Sequence, residues 1–167
     1  DGGTLRLDTT LQTGGGSKQA IGAIAVDAGG TLEILNTQTG NQPSIWTRNG
    51  DSVVTGTGTL VKKGGGTQGV AWASGRTNLD GFHGAIDVDG GRLVFDPGNG
   101  STAGTGTWDV TVEDGAEFDV RTGTIEIDAL GGAGDVMNSS GSGNTLSIGN
   151  SDGSGTFSGV IKQTDAD

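Results

Sequence analysis

Short runs in which every second residue is apolar recur along this chain, with glycine-rich turns between them. Ile24-Ala25-Val26-Asp27-Ala28-Gly29-Gly30-Thr31-Leu32-Glu33-Ile34 sets the pattern: apolar-x-apolar, a tight turn, then apolar-x-apolar again. Ile86-Asp87-Val88-Asp89-Gly90-Gly91-Arg92-Leu93-Val94-Phe95 repeats it, and Val110-Thr111-Val112-Glu113-Asp114-Gly115-Ala116-Glu117-Phe118-Asp119-Val120 repeats it once more. The opening Gly2-Gly3-Thr4-Leu5-Arg6-Leu7 reads as the second half of the same unit. Alternation with period two puts Ile, Val, Leu and Phe on one side of a strand and Thr, Asp, Glu and Arg on the other. The intervening Asp/Ala-Gly-Gly admits positive φ and a sharp corner.

A hairpin would use the same local signal. The spacing favours winding instead. Ile24 and Ile86 are 62 residues apart, about three units of roughly 20, and Ile86 and Val110 are 24 apart. A single coil of that size cannot bury its apolar side, so it must stack on its neighbours. The expected fold is all-β: a right-handed parallel β-helix of about seven to eight coils, with an antiparallel β-sandwich as the alternative. Residues 1–167 read as one segment, and neither end resembles a polar cap, as in a piece of a longer solenoid. The polar stretch 96–104 is expected to protrude between coils.

Composition agrees with this picture. The chain has 167 residues, with 36 glycines, 2 prolines and only 31% hydrophobic residues. No Gly-X-Y period is present, which excludes collagen. The ordered alternation argues against disorder, and the abundance of Gly, Thr, Ser, Asn and Asp argues against helices. Net charge is −11, the wrong sign for a nucleic-acid binder or an anionic membrane surface. No apolar run approaches the ~18 residues needed to span a bilayer, so direct membrane insertion is not expected. Cysteine is absent. That removes disulfides and thiolate metal sites, and it fits a secreted bacterial protein that crosses a membrane unfolded.

Residues 56–95 resemble the autotransporter-associated β-strand repeat. Gly56-Thr57-Gly58-Thr59-Leu60-Val61-Lys62-Lys63-Gly64-Gly65-Gly66 is similar to that family's glycine-rich opening. Phe82-His83-Gly84-Ala85-Ile86-Asp87-Val88-Asp89-Gly90-Gly91-Arg92-Leu93 is similar to its aromatic-x-glycine, strand, glycine-x-leucine close. Gly153-Ser154-Gly155-Thr156-Phe157-Ser158-Gly159-Val160-Ile161 looks like the segment that precedes a further opening. The middle, 69–79, departs from the family's regular strand. The resemblance implies a β-helical, passenger-type segment of a bacterial surface protein, secreted or held on the outer surface.

Candidate chemistry is sparse. His83 is the only histidine and sits in a repeat position beside Phe82. No serine has a nucleophile-elbow context; Gly141-Ser142-Gly143 has no helix to follow it. Parallel β-helices host polysaccharide hydrolases and lyases, and here Asp87 and Asp89 flank Val88, with Asp109, Glu113 and Asp114 about one coil on. Outward carboxylates also serve solubility. Calcium is the one ion whose ligands the chain supplies in number; the Asp-Gly turns at Asp87, Asp89 and Asp152 are its candidates, though none completes a known calcium loop. Trp108 and Trp72 alternate with valines and are expected inside. Trp46 follows Ile45 near Pro43, and with Asn41, Gln42 and Arg48 it offers a platform for a sugar ring. Gly14-Gly15-Gly16 and Gly64-Gly65-Gly66 lack the lysine of a phosphate loop and read as turns.

The function expected from these residues is a non-enzymatic structural and adhesive segment. It needs no cofactor beyond the calcium question. It would display loops 36–52 and 96–107 to a host surface, neighbouring cells or polysaccharide, with self-association open. The alternatives are a carbohydrate-binding module and a β-helical polysaccharide hydrolase or lyase.

Overall fold

The computed structural model describes residues 2–8, 23–38, 52–70, 77–97, 102–104, 106–141 and 143–163. Alternation produces strands wherever it was read. The first are β1 (Thr4–Asp8), β2 (Ala23–Val26), β3 (Thr31–Leu35), β4 (Ser52–Gly56), β5 (Thr59–Lys63) and β6 (Thr67–Val70). Then come β7 (Thr77–Phe82), β8 (Ala85–Val88), β9 (Arg92–Phe95), β10 (Thr102–Ala103), β11 (Asp109–Val112) and β12 (Glu117–Val120). The last are β13 (Thr124–Ile127), β14 (Ala129–Gly132), β15 (Asp135–Asn138), β16 (Thr145–Ile148) and β17 (Val160–Gln163). No helix occurs among the described residues, and every pairing between these strands is parallel. The chain is therefore a parallel β-solenoid, of about five turns. A sandwich of antiparallel sheets is excluded.

Three walls enclose the core. The first is β1-β3-β5-β8-β11-β14 and the second is β6-β9-β12-β15-β17. The third position in the cycle is filled twice, by β2-β4-β7 and then by β10-β13-β16. The break between those two sheets is spanned at the adjoining corner. There the Trp108 indole N–H donates to the Phe82 carbonyl at 2.6 Å, and His83 Nδ1 lies 2.9 Å from Thr107 Oγ1.

Register turns the alternation of each strand into columns. Leu5, Leu32, Leu60, Ile86, Val110 and Leu130 follow one another up the first wall. Gln68, Leu93, Phe118, Val136 and Ile161 do so up the second. A slip of one residue would turn a whole strand inside out, so burial specifies the register strongly. Phe95 fills the centre, with ring centroids 5.5 Å from Trp108 and 5.3 Å from Phe118. The corners stack as closely as the strands. A Cβ on Gly84 would lie 2.0 Å from the Gly58 carbonyl oxygen, and one on Gly58 would lie 2.5 Å from that of Gly30. Only glycine fits this column.

The turns are fewer than the spacing suggested because the copies of the motif are out of phase. Ile24 belongs to the third wall and Ile86 to the first. The residue equivalent to Ile86 is Leu32, two ladder steps below it. Thr4 pairs with Thr31 and Thr31 with Thr59, steps of 27 and 28 residues. On the first wall the shortest step, from Asp109 to Ala129, is 20. Of the stretch 96–104, Asp96 and Pro97 are buried and Thr102–Ala103 form β10, while 98–101, where protrusion was expected, lie outside the described residues.

Phe118→Ala is expected to lower stability by about 3–5 kcal/mol, by removing a fully buried ring that packs on Phe95. Val160→Ala, on an exposed residue at the edge of the second wall, should change it by less than about 0.5 kcal/mol. Urea unfolding of the two variants checks the difference.

Candidate functional site

The acidic candidates lie on the outer surface of the first wall and at its corner with the second. Asp87 points outward between the buried Ile86 and Val88, and it is itself half-buried. Register places Val61 below it and Thr111 above it. Asp89 is exposed just past β8, where its Oδ2 accepts from Lys63 Nζ at 2.7 Å. The Glu113 amide donates to the Val88 carbonyl at 3.0 Å, which sets Glu113 one winding above Asp89. Asp109 pairs with Ala85 rather than with Asp87. At the foot of the same outward column Arg6 forms an ion pair with the nearly buried Glu33. The contact is ionic rather than an aligned hydrogen bond, so Glu33 Oε1 lacks a directed donor.

Burial raises the Asp87 carboxyl above the usual carboxylate range, and the negative charges of Asp89 and Glu113 push it further. A group of this kind holds its proton more readily than a fully solvated carboxyl. Asp89, its closest companion in sequence, is already engaged by Lys63.

Asp152 stands elsewhere, exposed at the corner between the third and first walls with φ 66°. Its turn is built around Asp128, whose Oδ1 accepts from the amides of Ser151 at 2.8 Å and Gly153 at 2.7 Å. Asp87 and Asp89 therefore do not share a turn or a corner with Asp152. Among the described residues no group of three or more histidine or carboxylate side chains is arranged to hold a metal ion. Trp46, Arg48, Asn41 and Gln42 lie outside the described residues, as does Trp72. Trp108 is fully buried, as its alternation predicted. His83 is exposed beside Thr107.

The outer side of the second wall carries a charge ladder that sequence reading missed. Arg92 Nε meets Glu117 Oε2 at 2.8 Å, one winding up. Lys162 reaches down to Asp135 and, at 4.0 Å, to Glu117. Asp119 beside them is buried and accepts from the Ser139 amide at 3.0 Å and the Ser139 hydroxyl at 2.6 Å. Opposite charges at the matching register positions Arg92 and Glu117, with Lys162 two residues past the partner of Asp135, were the available signal. Using it requires ladder steps of 25, 18 and 25 residues, which no constant repeat supplies.

No family model, curated protein or solved structure matches this chain.

Asp87→Asn is expected to raise the urea midpoint at pH 7. The folded-state pKa of Asp87 lies above the unfolded value of 3.8, so its contribution to stability is complete below 3.8 and is lost as pH rises through the folded value. The wild type and the variant should converge in acid and separate towards neutrality, measured as midpoint against pH.

Proposed function

We propose that the chain is a non-enzymatic structural and adhesive segment of a secreted bacterial surface protein. It is a rigid body whose loops make the contacts. The observation that supports this reading is the pair of unbroken inner columns along the first and second walls. Each winding is anchored to the next, so connections between strands can vary in length and composition without loosening the stack. The two connections proposed as display loops each meet the ladder at a bonded position. After β3, the Gly66 amide bonds the Asn36 carbonyl and the Thr67 amide bonds that of Gln38. After β9, Thr102 resumes the ladder beneath Thr124. The acid excess keeps such a rod soluble and repels like-charged polymers.

The resemblance of residues 56–95 to the autotransporter-associated repeat supports the surface location. Within that stretch the aromatic-x-glycine element has a plain structural use. Phe82 is buried, and Gly84 lies in the corner column that excludes a side chain.

The test is adhesion. The purified chain, coated on beads, should bind host or neighbouring cells. Binding should survive Asp87→Asn and Asp89→Asn and be lost when residues 39–50 are replaced by a Gly-Ser linker of equal length. A panel of polysaccharides should show no turnover. Turnover abolished by Asp87→Asn would overturn the reading in favour of a β-helical hydrolase or lyase. Saturable polysaccharide binding without cell binding would favour a carbohydrate-binding module.

A further inference from the structure

Lys62 occupies an inward position that the stack otherwise fills with apolar residues. Register sets it between Ile34 below and Val88 above, with Leu7 and Val112 further along the same column. It is 0% exposed. Among the described cations it alone has no carboxylate partner: Arg6, Lys63, Arg92, Arg121 and Lys162 each reach one. Its three N–H donors meet three backbone carbonyls instead, those of Lys63 at 3.0 Å, Gly64 at 2.7 Å and Gly90 at 2.8 Å. The first two lie at the end of β5 and in the corner that follows it. The third belongs to the equivalent corner one winding higher. The backbone at these corners passes through positive φ at Gly64 (82°) and Gly91 (63°), which glycine adopts without strain.

We infer that the carbonyl oxygens of Lys63, Gly64 and Gly90 form an internal binding site for a primary ammonium, and that Lys62 is its built-in occupant, locking the corner of one winding to the corner of the next. Donor and acceptor numbers match, so the site saturates an ammonium and leaves it no need of water. An apolar side chain of similar length would fill the column but leave the three carbonyls without this partner. A register slip would take the ammonium away from them. The charged groups on the surrounding elements all sit at outward positions: Glu33 on β3, Lys63 on β5, Asp87 on β8, Asp89 at the corner and Arg92 on β9. None of them bonds the amine. Burial without a counter-ion lowers the Lys62 ammonium from 10.5 to about 8.

Three measurements test the site. In Lys62→Met, amide hydrogen exchange should quicken at least about tenfold at residues 63–67 and 89–92 while the upper windings, 124–148, keep their protection. Uniform loss across the chain, or no loss, would overturn the lock. Lys62→Ala removes the atoms of a propylammonium ion. Propylammonium chloride should raise the urea midpoint of that variant, and tetramethylammonium chloride at equal ionic strength, which has no N–H, should not. Equal effects of the two salts would overturn the site. Finally, the wild-type folding constant should grow relative to that of Lys62→Met by up to roughly two orders of magnitude as pH rises through 8 towards 10.5. The lowered folded-state value means that the unfolded chain binds the extra proton in that window. A pH-independent ratio would mean that burial leaves the proton affinity of Lys62 unchanged, and would overturn the lowered value.

Discussion

Everything in this molecule depends on the parallel hydrogen-bond ladder between one winding and the next. A parallel ladder carries parity upward: a residue that faces inward in one winding must have an inward-facing residue above it. Each strand has only four to six residues in most windings, too few to be stable alone. The apolar columns exist because neighbouring strands share a register, and the register holds because a slip would expose the columns. The two requirements support each other.

This arrangement leaves the corners as the place where the chain can vary. Ladder steps range from 18 residues, between Glu117 and Asp135, to 30, between Ala23 and Val53, yet the strands stay paired through both. Variation stops where backbones touch. At Gly58 and Gly84, stacked above Gly30, a methyl group has no space, and the column ends where Trp108 takes the next place and turns its indole into the core. The glycine content that looked excessive for a globular protein is thus partly a packing requirement of stacked corners.

Much of the fold was legible because period-two alternation is a local property. The strands at Ile24, Leu32, Ile86, Leu93, Val110 and Phe118 could each be read from a few residues, and so could the burial of Trp108. Phase was not legible. Ala-Gly-Gly at 28–30 and Asp-Gly-Gly at 89–91 look alike, but the first joins the third wall to the first and the second joins the first to the second. Local pattern cannot tell one corner of a three-walled solenoid from another, and the coil count inherited that ambiguity. The outer charge ladder was hidden for the same reason: Arg92, Glu117, Asp135 and Lys162 become neighbours only once every winding length is known. Lys62 was hidden differently. In Thr-Leu-Val-Lys-Lys, Lys62 has the parity of an exposed residue if the adjacent valine is taken as inward, and Val61 is in fact buried too.

The walls are chemically unequal, and this bears on where a partner would meet the molecule. On the second wall Arg92 and Lys162 offset Glu117 and Asp135 in place, so that surface is close to neutral over several windings. At the corner between the first and second walls, Asp87, Asp89 and Glu113 gather against Lys63, and burial, reinforced by the charges of Asp89 and Glu113, pushes Asp87 towards its protonated form. A stack of identical windings would repeat one surface from end to end. Here, unequal corner lengths bring different outward residues into register at each level, so one continuous core carries a surface that changes with height and with face. Specific contacts therefore require no cleft: the core fixes the spacing, and the outward residues at each corner supply the difference between one place on the rod and the next.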